Sequence, residues 1–171
     1  GGQITKLAAA NGGKFDSLNL EISGGSVMEI QAGGRWTGAT IDLVNIVLSG
    51  APVIRNLNGK GACTACSETR LLFAGFTGTI SGTVSNVDKV GVSAVGGNTS
   101  AAASDVTAAF EMAGQIGNLS EILLCADVNL DDQEIFNSVN NITLKGDLEE
   151  AARKVFFSEA QYVCDNFASF E

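Results

Sequence analysis

Residues 77–85 read Thr-Gly-Thr-Ile-Ser-Gly-Thr-Val-Ser, and this stretch decides which fold class the sequence predicts. Side chains of a β-strand alternate between its two faces, so a period of two places every hydroxyl group of the stretch on one face. The positions that carry these groups are Thr77, Thr79, Ser81, Thr83 and Ser85. Threonine has a high β-propensity, so the stretch predicts a strand within a sheet.

The hydroxyl face of this strand has three interpretations. It is an ordinary solvent-exposed face, or an ice-binding surface, which would need several stacked copies where the chain has one. The third interpretation is an assembly or binding strand, because a long uncharged run of high β-propensity pairs readily with the edge of another chain. No charged residue occurs from Leu71 to Val87, which predicts a strand that is central in its sheet or covered by a partner.

The residues before this strand predict a mostly antiparallel sheet over residues 17–95. Apolar and polar residues alternate from Leu18 to Ile22, as in a half-buried strand. Gly24 and Gly25 then predict a hairpin turn. A longer strand over residues 36–48 carries apolar residues on both faces, which predicts a place near the centre of the sheet.

The residues after the hydroxyl strand predict helices that cover the sheet. Alanine runs and helical spacing predict one helix from Ala101 to Gly117. Asp147 predicts the cap of a final amphipathic helix whose apolar stripe extends to Phe167. The sequence therefore predicts an α+β fold in which a mostly antiparallel sheet in the N-terminal half is covered by C-terminal helices.

The predicted domain organisation is one α+β domain preceded by an arm. The domain spans residues 17–171, with a β-rich part over 17–95 and a helical part over 101–168. Residues 1–16 are rich in glycine and predict either a flexible arm or an arm that pairs with a neighbouring subunit.

The chain has four cysteines that can form disulfides or bind a metal ion, namely Cys63, Cys66, Cys125 and Cys164. A zinc site of four thiolates usually takes two Cys-x-x-Cys pairs, and a redox-active pair opens a helix after a buried strand. Cys63 and Cys66 form the only such pair and lie in a glycine-rich loop, which disfavours both the zinc and the redox interpretation. Reduced, buried thiols are a further alternative. We favour two disulfides that link the sheet to the helices, each joining one cysteine of the pair to Cys125 or Cys164, because long-range bonds constrain the unfolded chain more strongly.

An acidic stretch formed by Asp127, Asn129, Asp131 and Asp132 resembles the start of a calcium-binding loop. The stretch lacks the glycine at the sixth position and the acid at the twelfth, so a calcium site here would need another geometry. An acidic helix N-terminus explains the same residues. Calcium is the one cofactor that the sequence suggests.

Three sequons begin at Asn98, Asn118 and Asn141. An Asn-x-Ser/Thr sequence accepts an N-linked glycan when a eukaryotic or archaeal cell secretes the protein. These asparagines are therefore candidate glycosylation sites, and glycans there would mark surface loops.

Composition excludes several classes of protein. The chain has no histidine, which rules out Ser-His-Asp and Cys-His catalysis and mixed cysteine–histidine zinc sites. Its net charge of −9 and scattered basic residues argue against nucleic-acid binding. The longest uncharged run is too short and too polar for a membrane-spanning helix. The chain starts at Gly1 rather than Met, which we interpret as a product after removal of a leader or as a chain trimmed to its ordered part.

Together these features predict an exported, non-enzymatic structural protein, a subunit of an extracellular filament, pilus-like fibre, coat or matrix that forms a homo-oligomer or polymer. One alternative is an extracellular binding module or adhesin that uses Trp36 or the hydroxyl face for carbohydrate or protein. Another is an accessory subunit of a lumenal or periplasmic complex. The expected location is secreted or at the cell surface, with the periplasm or an organelle lumen as the alternative. No residues suggest an enzyme.

Overall fold

The structure is a computed structural model that describes residues 7–8, 14–32, 36–37, 40–61, 63, 65–117, 119–130, 142–147, 153–156 and 167–170. The chain divides into two compact units. The first contains Gly1–Leu71 and Thr77–Asp88, and the second contains Leu72–Phe76 and Lys89–Glu171. A long strand over residues 66–76 therefore contributes to both units.

The first unit contains β-strands and turns, and no helix among its described residues. In chain order its strands are β1 (Leu7–Ala8), β2 (Lys14–Ile22), β3 (Ser26–Val27), β4 (Ile30–Gln31), β5 (Trp36–Thr37), β6 (Thr40–Gly50), β7 (Val53–Ile54), β8 (Leu57–Asn58), β9 (Cys66–Phe76, shared with the second unit), β10 (Thr79–Ile80) and β11 (Val84–Ser85). Each of the long strands β2, β6 and β9 is followed by a pair of short strands. This recurring order of one long and two short strands indicates a repeating structural unit.

Strand pairing in the first unit is parallel, and partners recur at intervals of 26 or 27 residues in every described pair except β1 with β5, where the interval is 29. Val53 pairs with Ser26 on one side and with Thr79 on the other. Leu57 lies in the same way between the strands β4 and β11, and β2 pairs with β6 along its length. Successive passes of the chain, β2-β3-β4, β6-β7-β8 and β9-β10-β11, therefore stack as coils, and the fold is a β-solenoid.

Aliphatic side chains fill the interior of these coils. Ile46, Leu48, Ile54, Leu57 and Leu71 are at most 1 % exposed. Because the coils are parallel and in register, equivalent inward positions lie above one another. Burial of each such side chain contributes about 1.5–3 kcal/mol, so the coil interior is the main source of stability in this unit.

Two glycines allow close approach between neighbouring coils. A Cβ atom at Gly78 would overlap the carbonyl oxygen of Pro52, and a Cβ atom at Gly82 would overlap the carbonyl oxygen of Arg55. Between them, the Thr79 N–H donates to the Pro52 oxygen at 2.9 Å. The repeated Gly-Thr-aliphatic-Ser sequence therefore belongs to two short strands and their turns. The prediction of one continuous strand over residues 77–85 is wrong.

The second unit contains the single helix among the described residues. Besides the second half of β9, its elements are β12 (Lys89–Val92), β13 (Ser100–Ala102), α1 (Ala103–Ile116), β14 (Glu121–Leu124), β15 (Asp127–Asn129), β16 (Ile142–Gly146), β17 (Val155–Phe156) and β18 (Phe167–Phe170). The strands form two parallel series in the orders β12-β14-β16-β18 and β13-β15-β17. Parallel stacking is thus the rule in this unit as well.

Asp105 fixes the start of helix α1 against the end of β9. Its side chain is 1 % exposed. One carboxylate oxygen, Oδ2, accepts N–H groups from Gly75 at 2.9 Å and Ala102 at 3.1 Å, and Oδ1 accepts the N–H of Phe76 at 3.0 Å. Three backbone donors at a helix entry and a strand end are thereby satisfied by one side chain.

The predicted antiparallel sheet covered by C-terminal helices is wrong. Residues Leu18 to Ile22 do form a strand, but their partner is the parallel segment from Val44 to Leu48. Gly25, with φ 84°, turns the chain into the next side of the coil instead of reversing it. Alternation of apolar residues specifies a buried face and is the same for both pairing directions, so it could not distinguish them.

The helix predictions have mixed outcomes. The helix predicted from Ala101 to Gly117 is confirmed by α1. The final helix is wrong where the chain is described, because Val155–Phe156 and Phe167–Phe170 are strands. Val155 pairs with Val128 of β15, and this tertiary pairing overrides the helical spacing of the sequence.

Candidate functional site

Strand β2 has one edge that no described strand covers. In the strand order of the first unit β2 pairs with β6, and no strand lies on its other side among the described residues. An edge strand offers a row of backbone N–H and C=O groups for a further strand. At nine residues, β2 is long enough to hold such a partner in register.

The inner side of β2 is apolar and only partly covered. Its inward residues lie in register with fully buried residues of β6, in the pairs Phe15–Ile41, Leu18–Val44, Leu20–Ile46 and Ile22–Leu48. The members from β6 are 0 % exposed, whereas Phe15 is 37 % exposed and the three aliphatic residues of β2 are half-buried. The same inward positions are thus closed in the second coil and partly open in the first.

Polar pairs on the outer side hold β2 in register on β6. Lys14 Nζ lies 2.6 Å from Asp42 Oδ2, and Asn45 Nδ2 donates to Asn19 Oδ1 at 2.8 Å. The hydrogen bond to Asp42, followed by the attraction of its charge, raises the pKa of Lys14 above its usual value. Exposed pairs of this kind add little stability, but they define the register in which the free edge of β2 is presented.

The hydroxyl positions predicted as an assembly or binding face lie elsewhere in the first unit. Thr77, Thr79, Ser81 and Thr83 are all exposed, distributed over β10 and the turns beside it. Thr79 lies in register with Val53, which is 50 % exposed. Trp36 belongs to β5, and its side chain lies outside the described part of the structure.

The acidic stretch and the sequons are described only in part. Asp127 and Asn129 lie on β15, and Asp127 Oδ1 accepts the N–H of Lys154 at 3.0 Å. The described residues contain no group of three potential metal ligands. Asn98 is exposed in the turn after Gly97. The remaining predicted positions, Asp131, Asp132, Asn118 and Asn141, lie outside the described residues, so calcium binding and glycosylation stay predictions.

The predicted disulfide pairing is wrong for the Cys-x-x-Cys pair. Cys63 and Cys66 are bonded to each other, with their Cα atoms 5.8 Å apart. Both side chains are buried, in the turn that leads into β9. Cys125 is half-buried after β14, and Cys164 lies outside the described residues. The bond therefore closes a turn of the first unit and does not link the two halves of the chain.

Removal of this disulfide is expected to lower the stability of the fold only moderately. A Cys63→Ala/Cys66→Ala double variant should lower the free energy of unfolding by about 2 kcal/mol, because so short a loop restricts the unfolded chain only slightly. Urea denaturation of the double variant and of the wild type measures the difference. A loss several times larger would show that the bond is essential to the coil.

The sequence assigned assembly to the hydroxyl stretch and missed the edge of β2. A signal for it exists in the alternation Leu18, Leu20, Ile22, which recurs 26 residues later as Val44, Ile46, Leu48. A repeat of that length indicates stacked coils, and the outermost coil of such a stack presents an edge. Asp105 was also missed, although an acid in the first turn of a helix is a common capping signal.

The chain matches no known family model, and neither the curated proteins nor the solved structures contain a significant match. Within its described residues, no helix is long and apolar enough to cross a membrane.

Proposed function

We propose that the chain is an exported, non-enzymatic structural protein that assembles with further copies of itself by strand addition at β2. Such a protein would serve as a subunit of an extracellular filament, pilus-like fibre, coat or matrix. The observation that carries the proposal is the open edge of β2 together with its partly exposed inner residues. Strand addition would satisfy the edge and bury those residues in one step.

A second copy of the chain is the partner that fits this edge best. The partner must supply a strand that is itself at an edge of its sheet. Strand β6 already lies between β2 and β9, whereas β18 is the other edge of the same strand order among the described residues and is parallel to its neighbour β16. A coil from another copy would therefore extend the backbone ladder and the apolar interior together.

The Cys63–Cys66 bond supports the proposed export to an oxidising compartment. Disulfides form and persist mainly in oxidising surroundings, such as the cell exterior, the periplasm or the lumen of the secretory pathway. The absence of histidine from the sequence excludes histidine-dependent catalysis and is consistent with a structural role.

Charge on the inner side of β2 is expected to prevent assembly. Leu18→Lys places an ammonium group where a second coil would pack, and burying it without a partner is unfavourable. We expect the sedimentation coefficient of the wild type to rise with concentration and that of Leu18→Lys to stay at the monomer value. Ser17→Lys is the matched control, because Ser17 is exposed on the same strand, and it should assemble like the wild type.

Two outcomes would count against the proposal. One is a wild type that remains a monodisperse monomer at high concentration, with no filaments or sheets in negative-stain micrographs. The other is a Leu18→Lys variant that assembles as the wild type does. Circular dichroism of each variant verifies that the fold is retained, and Ile22→Lys provides a second inward position if Leu18→Lys does not fold.

A further inference from the structure

An open recess lies in the second unit between the turn before β13 and strand β15. Its volume is about 410 Å³, and residues 97–102 and Asn129 line it. The recess is shallow and opens widely to solvent, so a ligand bound there would stay largely exposed. The lining includes the side-chain amides of Asn98 and Asn129 and the hydroxyls of Thr99 and Ser100, and none of its described residues is charged.

The recess continues into an exposed row of side chains across three parallel strands. Ala102 pairs with Asn129, and Asn129 pairs with Phe156. All three are exposed, and Phe156 is 48 % exposed. Neighbouring strands lie about 4.8 Å apart, so the row extends over roughly 10 Å.

The order of the three residues along this row gives the surface its shape. Ala102 has a small side chain and leaves a shallow floor. Asn129 carries an amide, which has both donor and acceptor groups, and Phe156 adds an exposed apolar ring at the end of the row. Sugars present hydroxyl groups at their edges and C–H groups on one face of the ring. An amide and hydroxyl groups beside an exposed aromatic ring complement both features.

We propose that this recess and the adjoining ring of Phe156 bind a neutral disaccharide. The ring of Phe156 packs against the C–H face of one unit, while Asn129, Thr99 and Ser100 bind the hydroxyl groups of the other. The ligand is neutral because the described lining residues carry no charge. Asp127, which lies in register with Ser100, and the net charge of −9 of the chain both disfavour anionic sugars. This proposal does not depend on assembly at β2.

Isothermal titration calorimetry of the full chain tests the proposal with defined probes. Cellobiose, lactose and diacetylchitobiose serve as neutral probes, and digalacturonate serves as the acidic one. We expect at least one neutral disaccharide to bind and digalacturonate not to bind. Absence of binding by all three neutral probes, or equal binding of the acidic probe, would overturn the proposal.

Substitutions then locate the site. Phe156→Ala and Asn129→Ala should each weaken binding about tenfold, whereas Phe156→Tyr should retain it because the ring is kept. Met28→Ala is the control, since Met28 is 70 % exposed in the first unit. Affinity that survives both alanine substitutions would overturn the assignment. If Phe156→Ala does not fold, Asn129→Ala decides the outcome.

Discussion

Asp105→Ala is expected to lower the free energy of unfolding by roughly 3–5 kcal/mol. The carboxylate accepts the N–H groups of Gly75, Phe76 and Ala102 and is almost fully buried. Alanine leaves these donors without an acceptor and opens a small cavity beside them. Hydrogen bonds to a charged group are stronger than neutral ones, so the loss should exceed that of an ordinary capping residue.

Two variants near Asp105 separate the carboxylate from its surroundings. Asp105→Asn keeps one acceptor oxygen and should lose about half as much stability. Ser104→Ala changes an exposed neighbour in the same helical turn and should have little effect. Urea denaturation measures all three variants. Equal stability of Asp105→Ala and Ser104→Ala would contradict the role given to the carboxylate.

Gly82→Ala is expected to destabilise the first unit by roughly 2–4 kcal/mol. The added Cβ atom would overlap the carbonyl oxygen of Arg55 and approach the side chain of Asn56. Asn56 Oδ1 accepts the N–H of Thr83 at 3.0 Å, so a shift of either residue also disturbs that bond. Backbone atoms of a neighbouring coil cannot move aside as a flexible side chain can.

Gly24→Ala is the matched control for this substitution. No atom lies within 4 Å of a Cβ built at Gly24. Alanine there should leave stability unchanged or raise it slightly, because it restricts the unfolded chain. Thermal unfolding of the two variants gives the comparison, and equal midpoints would show that the coils do not need the glycine at position 82.

Local structure was predictable from the sequence where the pattern is strong. The alternation from Leu18 to Ile22 and the alanine-rich spacing before Gly117 gave the correct type of element, because both reflect which side of the element is buried. Pairing direction was not predictable in this way. An inward position in a solenoid and an inward position in a hairpin have the same apolar character, and only the 26-residue interval distinguishes them.

The remaining errors came from contacts that are distant in sequence. Val155 and Phe156 have helical spacing with their neighbours, yet they pair with β15. Cys63 and Cys66 were expected to bond to distant cysteines because long-range disulfides restrict the unfolded chain most. In the folded chain, the turn before β9 brings these two cysteines together, and they bond to each other. The edge of β2 was recognisable as a half-buried strand, but its exposure depends on the order of strands in the sheet.

Hydrogen–deuterium exchange as a function of protein concentration tests assembly at β2 most directly. On assembly, the free backbone groups of residues 14–22 become paired with a second copy. We predict that exchange in this segment slows as the concentration rises, while exchange over residues 53–58 of the neighbouring coil stays constant. Exchange in residues 14–22 that is the same at every concentration would contradict assembly at β2.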